Sequence, residues 1–228
     1  MKCSREPESP SCIAKKSFII FISMRDFLGA FVSVFLAIAL CACSDSLAGD
    51  EAGDTSRSNI LVDARDLQTY KTVEIGGRVW MAENLNYRVV WERDDLDTLH
   101  GWSWCYNDSA QYCEKNGRLY QWDEALYACP DDWVFPSKAD FDSLIYAVGG
   151  FEHAADSLIS RGFITDIQGG YYFMGYSSYF DEFAYFWTSD EIRVSNAYNV
   201  VFEKGRSSVS YDETYEKFAL SVRCVKSR

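Results

Sequence analysis

The chain has 228 residues, with 34 Asp or Glu against 22 Lys or Arg and a net charge of −12 at pH 7. A protein this acidic repels the phosphates of nucleic acids and the anionic surface of membranes, so both are disfavoured as direct partners. The length suits one domain of ordinary size behind an N-terminal leader.

An export signal is predicted at the N-terminus. Residues 27–43, "FLGAFVSVFLAIALCAC", form an uncharged run preceded by Lys15, Lys16 and Arg25, an order typical of a signal peptide. The run ends in Leu40-Cys41-Ala42-Cys43, which resembles a bacterial lipobox, so we predict a signal peptide over 1–42 and a lipid on Cys43. Met24 is an alternative start. An uncleaved membrane anchor is the competing interpretation, but no Lys/Arg-rich flank follows the run.

The exported part is predicted to be more acidic still. Residues 1–42 hold five Lys or Arg and three Asp or Glu, which leaves 17 basic and 31 acidic residues and a net charge of −14. Residues 43–60 are small and acidic, as expected of a lipidated, flexible linker. Because Ser44 rather than an aspartate follows the lipidated cysteine, we expect an outer-membrane lipoprotein, exposed at the cell surface and in contact with the membrane through its lipid. The globular domain is expected over 61–228.

Two features are predicted in the first part of the domain. The segment 69–85, "TYKTVEIGGRVWMAENL", has strand-like runs on either side of Gly76-Gly77, which indicates a hairpin with a primed turn. Further on, the acidic "ERDDLDTLHG" is flanked by tryptophans that form a candidate ligand patch: Trp91, Trp102 and Trp104. Its aspartates, at 94, 95 and 97, lack a full set of calcium ligands, so a solvated turn is favoured over a metal site.

The cysteines predict two disulfides. Eight are present: Cys3, Cys12, Cys41, Cys43, Cys105, Cys113, Cys129 and Cys224. The first three fall in the leader and the fourth takes the lipid, so an exported domain keeps four, which can pair in three ways. The short spacing of Cys105 and Cys113 makes them a local pair and leaves Cys129 for Cys224. Zinc is the alternative, but the chain has no Cys-x-x-Cys and only two histidines.

Two helices are predicted from apolar spacing. In "LYQWDEALYAC" one helical face carries Trp122, Ala125, Leu126 and Cys129, with Pro130 ending the helix. Ser137 and Asp140 then resemble a capping box, and a second apolar stripe follows before Gly149-Gly150: Phe141, Leu144, Ile145 and Val148. The segment "FEHAADSLI" adds a helical turn or two.

Aromatic residues are concentrated in 171–187, "YYFMGYSSYFDEFAYFW", where ten of 17 residues carry a ring. Rings stack on the C–H faces of sugars, while tyrosine hydroxyls and carboxylates supply hydrogen bonds. Core packing is the alternative, and we expect it for Phe183, Phe186 and Trp187. The candidate ligand residues here are Tyr171, Tyr172, Tyr176, Tyr179 and Asp181.

The remaining elements are strands, predicted at 185–189, 198–202 and 207–211. In the terminal "KFALSVRCVK", Phe218, Leu220, Val222 and Cys224 alternate with other residues, which indicates a half-buried strand. The expected fold class is therefore α+β, with two short helices packed on an antiparallel sheet and stapled by disulfides.

Several motifs carry a resemblance: "YKTVEIGGRVWMAENLNY", "LYQWDEALYACPDDWVFPS", "YFWTSDE" and "FALSVRCVK". Over Asp63–Lys226 the chain resembles the Fibrobacter succinogenes major paralogous domain family, whose members are typically exported and often lipoproteins. The order of elements is also similar to the C-type lectin-like fold, in which the first helix is bridged to the last strand, so the resemblance implies the same role for Cys129–Cys224. The Glu-Pro-Asn, Gln-Pro-Asp and Trp-Asn-Asp signatures of calcium-dependent lectins are absent.

Motifs for catalysis are lacking. The chain has no Gly-x-Ser-x-Gly elbow, phosphate-binding loop or His-Glu-x-x-His. We therefore expect a non-catalytic domain without cofactor or metal that binds an extracellular glycan or protein. One alternative is a structural envelope protein that packs with partner subunits. The other is a divergent enzyme of the formylglycine-generating type, although that type needs a reactive cysteine pair late in the domain, where this chain has Cys224 alone.

Overall fold

The computed structural model describes residues 59–90, 92–93 and 99–228. The predicted signal peptide, Cys43, the linker as far as residue 58, Trp91 and the aspartates at 94, 95 and 97 lie outside the described residues. No helix in the described part is long and apolar enough to cross a membrane.

The strands, in chain order, are β1 (Ile60–Val62), β2 (Thr69–Ile75), β3 (Arg78–Met81), β4 (Glu92–Arg93), β5 (Leu99–His100), β6 (Ser103–Trp104), β7 (Leu119–Gln121), β8 (Trp133–Val134), β9 (Tyr171–Phe173), β10 (Tyr176–Ser178), β11 (Phe183–Arg193), β12 (Asn196–Glu203), β13 (Val209–Tyr215), β14 (Ala219–Ser221) and β15 (Val225–Lys226). The helices are α1 (Ala110–Asn116), α2 (Trp122–Ala125), α3 (Lys138–Ala147) and α4 (Ala154–Ser160), with 3₁₀ turns at Tyr106–Asp108 and Phe151–His153. The α+β class is confirmed.

The first sheet has the order β1-β2-β3-β15-β8. Its β2–β3 hairpin turns at Gly76 and Gly77, whose φ angles of 62° and 72° are those of the predicted primed turn. Val225 of β15 pairs with Trp80 on one side and Val134 on the other. The end of the chain is therefore held between elements formed early in the sequence.

The larger sheet has the order β10-β9-β14-β11-β12-β13, with β7 also paired to β14 and β6 paired to β7. It is not wholly antiparallel as predicted, because β11 and β14 run parallel where Phe186 pairs with Ser221. The prediction of a half-buried terminal strand is also wrong, because residues 219–225 are all buried. Since β14 lies between β7 and β11 and is covered on both faces, alternation in the sequence does not separate a solvent face from a core face.

The first predicted helix is shorter than its apolar pattern suggests. α2 ends at Ala125, and the Tyr127 and Ala128 N–H groups bond to the carbonyls of Glu124 and Ala125, three residues earlier. This tighter turn rotates the following side chains, so Ala128 enters the core and Leu126 is left 37% exposed. Nor are there only two helices: α1, which was not predicted, forms inside the loop that contains Cys105 and Cys113.

The second predicted helix is confirmed as α3. The Ser137 hydroxyl accepts a hydrogen bond from the Asp140 backbone N–H, and the Asp140 carboxylate accepts one from the Ser137 N–H at 3.0 Å. The buried side of α3 carries Phe141, Leu144 and Ile145. These residues share one core cluster with side chains of α4 and with alternate residues of β11 and β12.

Two disulfides form, and both are the predicted pairs. Cys105 bonds to Cys113 within the segment around α1, and Cys129 bonds to Cys224, which is 95 residues further along the chain. The long bond joins the turn after α2 to the segment between β14 and β15. It therefore ties the middle of the domain to its end.

Candidate functional site

An aromatic groove of about 260 Å³ lies beside the β9–β10 hairpin. Its lining combines rings with a few polar groups: Trp102, Trp104, Gln121, Tyr172, Phe173, Met174, Gly175 and Lys217. The groove brings together residues from the two candidate ligand patches, which the sequence analysis treats as separate.

The floor of the aromatic groove contains a stacked pair of rings. Trp104 and Tyr172 lie with their centroids 4.7 Å apart and an angle of 16° between their planes. Trp102, two residues earlier, is 54% exposed. A flat apolar surface with an exposed indole beside it is suited to stacking against a ligand with a flat apolar face.

A buried carboxylate holds the tryptophan segment in place. The Trp102 backbone N–H donates to Glu124 Oε2 at 2.6 Å, and the Trp102 carbonyl accepts from the Gln121 N–H at 2.9 Å. Ser103 and Trp104 then pair with Tyr120 and Leu119. Sequence reasoning missed Glu124, which is 1% exposed, because its place in α2 gives no sign that its carboxylate turns inward.

The opposite side of the groove is a tight hairpin. β9 and β10 are joined by Met174 and Gly175, with φ angles of 49° and 89°, as a primed two-residue turn requires. The turn leaves the Met174 side chain 77% exposed at the rim. Tyr172 is positioned by the pairing of β9 with Ala219 of β14.

Polar groups at the rim are ordered by contacts with each other. Lys217 Nζ lies 2.8 Å from an Asp123 carboxylate oxygen, and both side chains are about half exposed. Gln121 Nε2 donates to the Lys217 carbonyl at 3.0 Å. An ammonium, an amide and a carboxylate next to stacked rings can exchange hydrogen bonds with hydroxyl groups of a bound molecule.

The other predicted ligand residues do not reach this groove. Because side chains alternate along β9, Tyr171 lies on the opposite face from Tyr172. The centre of its ring lies 5.0 Å from that of Phe218 and 5.7 Å from that of Tyr179. Tyr176 is exposed on β10. The Asp181 carboxylate accepts a hydrogen bond from Gln168 Nε2 at 2.9 Å.

A second aromatic surface, the aromatic face, lies on this other side of β9. It consists of half-buried or exposed rings: Tyr171, Phe173, Tyr179, Phe183, Tyr185 and Phe218. Phe173, at the end of β9, belongs to this face and also borders the aromatic groove. Phe186 and Trp187 are fully buried as expected, but the prediction of a core position is wrong for Phe183, which is half buried and stacks on Tyr185 at 5.6 Å. Its strand alternates between a core face and this open face.

One ionisable side chain of the aromatic face, Tyr185, has a shifted pKa. Burial raises the pKa of Tyr185 to about 12. Like any tyrosine hydroxyl at neutral pH, it is protonated and can donate a hydrogen bond. Within the described ranges, no group of three His, Cys, Asp or Glu side chains is placed to hold a metal ion.

A family model for the Fibrobacter succinogenes major domain matches residues 73–226, more than half of the chain. The chain belongs to this family. The Fibrobacter succinogenes major domain begins within β2 and ends with β15, so it includes both disulfides and every residue that lines the aromatic groove. No curated protein and no solved structure matches the chain.

Proposed function

We propose that this protein is an exported outer-membrane lipoprotein, anchored through Cys43, whose C-type lectin-like domain binds an extracellular glycan at the aromatic groove without catalysing a reaction. The observation that carries the proposal is the stacked Trp104–Tyr172 pair next to the exposed Trp102. Trp102 and Trp104 come from one segment and Tyr172 from another, and together they line one groove with polar groups at its rim.

Carbohydrates match this surface chemically. A pyranose ring presents C–H groups on its faces and hydroxyls at its edge, so it can stack on indole and phenol rings while its edge bonds to Gln121, Lys217 and Asp123. An uncharged sugar is also unaffected by the net negative charge of the protein.

Two further features support the proposal. The long disulfide between the turn after α2 and the end of the chain is the bridge that a C-type lectin-like domain is expected to have. The late cysteine of the domain, Cys224, is fully buried in that bond, which favours a structural role over the reactive thiol of a formylglycine-generating enzyme.

The test is a pull-down of the purified protein on insoluble polysaccharides, followed by affinity measurements on soluble fragments of any that bind. We expect Trp102→Ala and Trp104→Ala each to weaken binding by about 1–3 kcal/mol, the usual effect of losing an aromatic anchor. Tyr146→Ala is the matched control, because Tyr146 is an exposed ring on α3 outside the groove. Circular dichroism checks that each variant is folded.

A second candidate function is a structural role in the cell envelope, with the ligand being a protein. The aromatic face favours it, because the stacked Phe173–Phe218 pair, 4.1 Å apart, belongs to a row of incompletely covered rings. Binding of a polysaccharide that is lost in the groove variants would argue for the first function. Absence of any polysaccharide binding, or equal binding by the groove variants and the control, would contradict it.

A further inference from the structure

A polar cavity of about 340 Å³, separate from the aromatic groove, lies between the ends of β2 and β3, α1 and the loop after α4. It shares no lining residue with the groove. Its volume falls in the range of small-molecule sites. Its polar lining includes three cations, three carboxylates and five amides: Arg223, Lys71, Lys115, Glu83, Glu114, Asp166, Gln68, Asn84, Asn86, Asn116 and Gln168.

Arg223 is a buried cation without an anion. Its side chain lines the polar cavity although the residue is only 4% exposed, and its Nε donates to Asn84 Oδ1 at 2.9 Å. The guanidinium also lies 4.8 Å from the centre of the Phe163 ring. Its Nη1 is shielded and has no hydrogen-bond partner, and in the part of the chain that the structure describes no carboxylate forms an ion pair with it.

A carboxylate whose charge acts on this cation, that of Glu83, is engaged elsewhere. Glu83 lines the same cavity, but its Oε1 lies 3.5 Å from Lys71 Nζ and its Oε2 accepts from the Lys71 backbone N–H. Burial lowers the pKa of Arg223 to about 9, so the guanidinium remains charged at neutral pH. A buried charge without a close counter-ion is costly and favours an anion that can approach it.

The amides add unpaired acceptors to the same wall. Asn86 Nδ2 donates to Gln68 Oε1 and Asn116 Nδ2 donates to Gln168 Oε1, yet both Oδ1 atoms are shielded and lack a partner. Buried polar atoms in folded proteins nearly always have partners. One donor and two acceptors in the wall of one cavity can be satisfied by a ligand that supplies an anionic oxygen and hydroxyl groups, once these shielded side chains turn toward it.

We infer that the polar cavity binds a small hydroxylated carboxylic acid, with its carboxylate facing Arg223 and its hydroxyls donating to Asn86 and Asn116. A guanidinium–carboxylate contact is among the strongest hydrogen-bonded pairs in proteins and has a directional geometry. The acidic surface repels anions over long distances, so recognition depends on these short-range contacts. The ligand is a free sugar acid or the acidic end of a polysaccharide, which present the same chemistry.

The probe is glucuronate, with glucose as its neutral counterpart, because the two differ in a single group, a carboxylate in place of a hydroxymethyl. In calorimetric titrations at pH 7 we expect saturable binding of glucuronate and weaker binding of glucose by about tenfold or more, since only glucuronate can pair with Arg223. Trp102→Ala should leave this binding unchanged, which separates the polar cavity from the proposed function of the aromatic groove.

The decisive variant is Asn116→Asp, which keeps the side-chain shape and puts a negative charge in the cavity. It should weaken glucuronate binding by about tenfold or more through competition for Arg223 and like-charge repulsion. Asn107→Asp is the matched control, since it adds the same charge at an exposed position outside the cavity. Gln168→Glu, on the same wall, carries the same expectation and replaces Asn116→Asp if that variant does not fold.

Several outcomes overturn the inference. They are absence of glucuronate binding, equal binding of glucuronate and glucose, and unchanged binding in the folded cavity variants. The first would mean that ordered water completes the hydrogen bonds of Arg223. Binding of free glucuronate but not of a glucuronate-terminated oligosaccharide would identify a free acid as the ligand, and binding of both would identify a chain end; each supports the inference.

Discussion

At the scale of single residues, the aromatic groove depends on groups that are not themselves aromatic. Trp102 and Trp104 are candidates from composition alone, but the orientation of their segment is set by the inward-facing Glu124 carboxylate. Similarly, Arg223 lies in a terminal segment whose sequence pattern predicts alternation between core and solvent, yet it is buried against Phe163 and Phe186. In both cases a charged side chain has an interior role that its local sequence does not reveal.

Glu124 offers a prediction at this scale. Glu124→Ala should lower the free energy of unfolding by about 1–3 kcal/mol, because the Trp102 N–H loses its side-chain acceptor. Glu124→Gln keeps a side-chain acceptor oxygen at the same distance from the backbone and should lose less. Urea unfolding at pH 7 measures both. A Glu124→Ala variant as stable as wild type would show that the bond to Trp102 contributes nothing.

At the scale of elements, local signals were reliable where the stabilising bonds are themselves local. The Gly76-Gly77 turn and the Ser137–Asp140 capping box each depend on residues within one turn of chain, and both form as predicted. The length of α2 and the exposure of Leu126 were mispredicted. Both depend on the tighter turn that the backbone makes between α2 and the long disulfide, which apolar spacing does not predict.

The capping box of α3 makes stability depend on pH. Burial raises the pKa of Asp140, but hydrogen bonds from Ser137 and the charge of Arg78 outweigh it and hold the pKa below its ordinary value of 3.8. A lowered acid pKa stabilises the folded state above that value, and the contribution is lost as pH falls through the folded-state pKa. Asp140→Asn should therefore cost about 1–2 kcal/mol at pH 7 and progressively less in acid.

The measurement is the free energy of unfolding of wild type and Asp140→Asn in urea between neutral pH and strong acid. Asp156→Asn is the matched control, because Asp156 occupies the first turn of α4 but is exposed. Its effect should stay within about 0.5 kcal/mol at every pH, as is usual for surface substitutions. A difference between Asp140→Asn and wild type that did not shrink in acid would contradict the proposed role of the carboxylate.

At the scale of the whole molecule, the end of the chain organises the fold. β14 and β15 belong to different sheets and pair with strands from both halves of the domain. The Cys129–Cys224 bond lies between them and ties this segment to the turn after α2. The two sheets and both core clusters therefore converge on residues 219–225.

The two disulfides should differ in their effect on stability. In the chain-entropy model a bond that closes 95 residues stabilises by about 4.7 kcal/mol and one that closes 8 residues by about 2.5 kcal/mol. Replacing both cysteines of a pair by alanine should therefore destabilise more for Cys129 and Cys224 than for Cys105 and Cys113. Thermal unfolding of the two double variants tests this order, and the reverse order would show that the short bond supports structure beyond its own loop.

The sequence by itself determined what depends on neighbouring residues, namely the glycine turn and the capped helix. It also determined the α+β class and, once Cys105 and Cys113 are taken as a local pair, the pairing of Cys129 with Cys224. Tertiary structure alone decided which aromatic residues meet. Trp104 lies on β6 and Tyr172 on β9, and β7 and β14 lie between these two strands in the sheet. Tyr171, adjacent to Tyr172 in sequence, is turned to the opposite face. It likewise decided that Arg223 is buried beside a polar cavity, because strands on both sides and core on both faces enclose its segment. Contacts between distant residues arise from strand pairing and burial, which local periodicity does not encode.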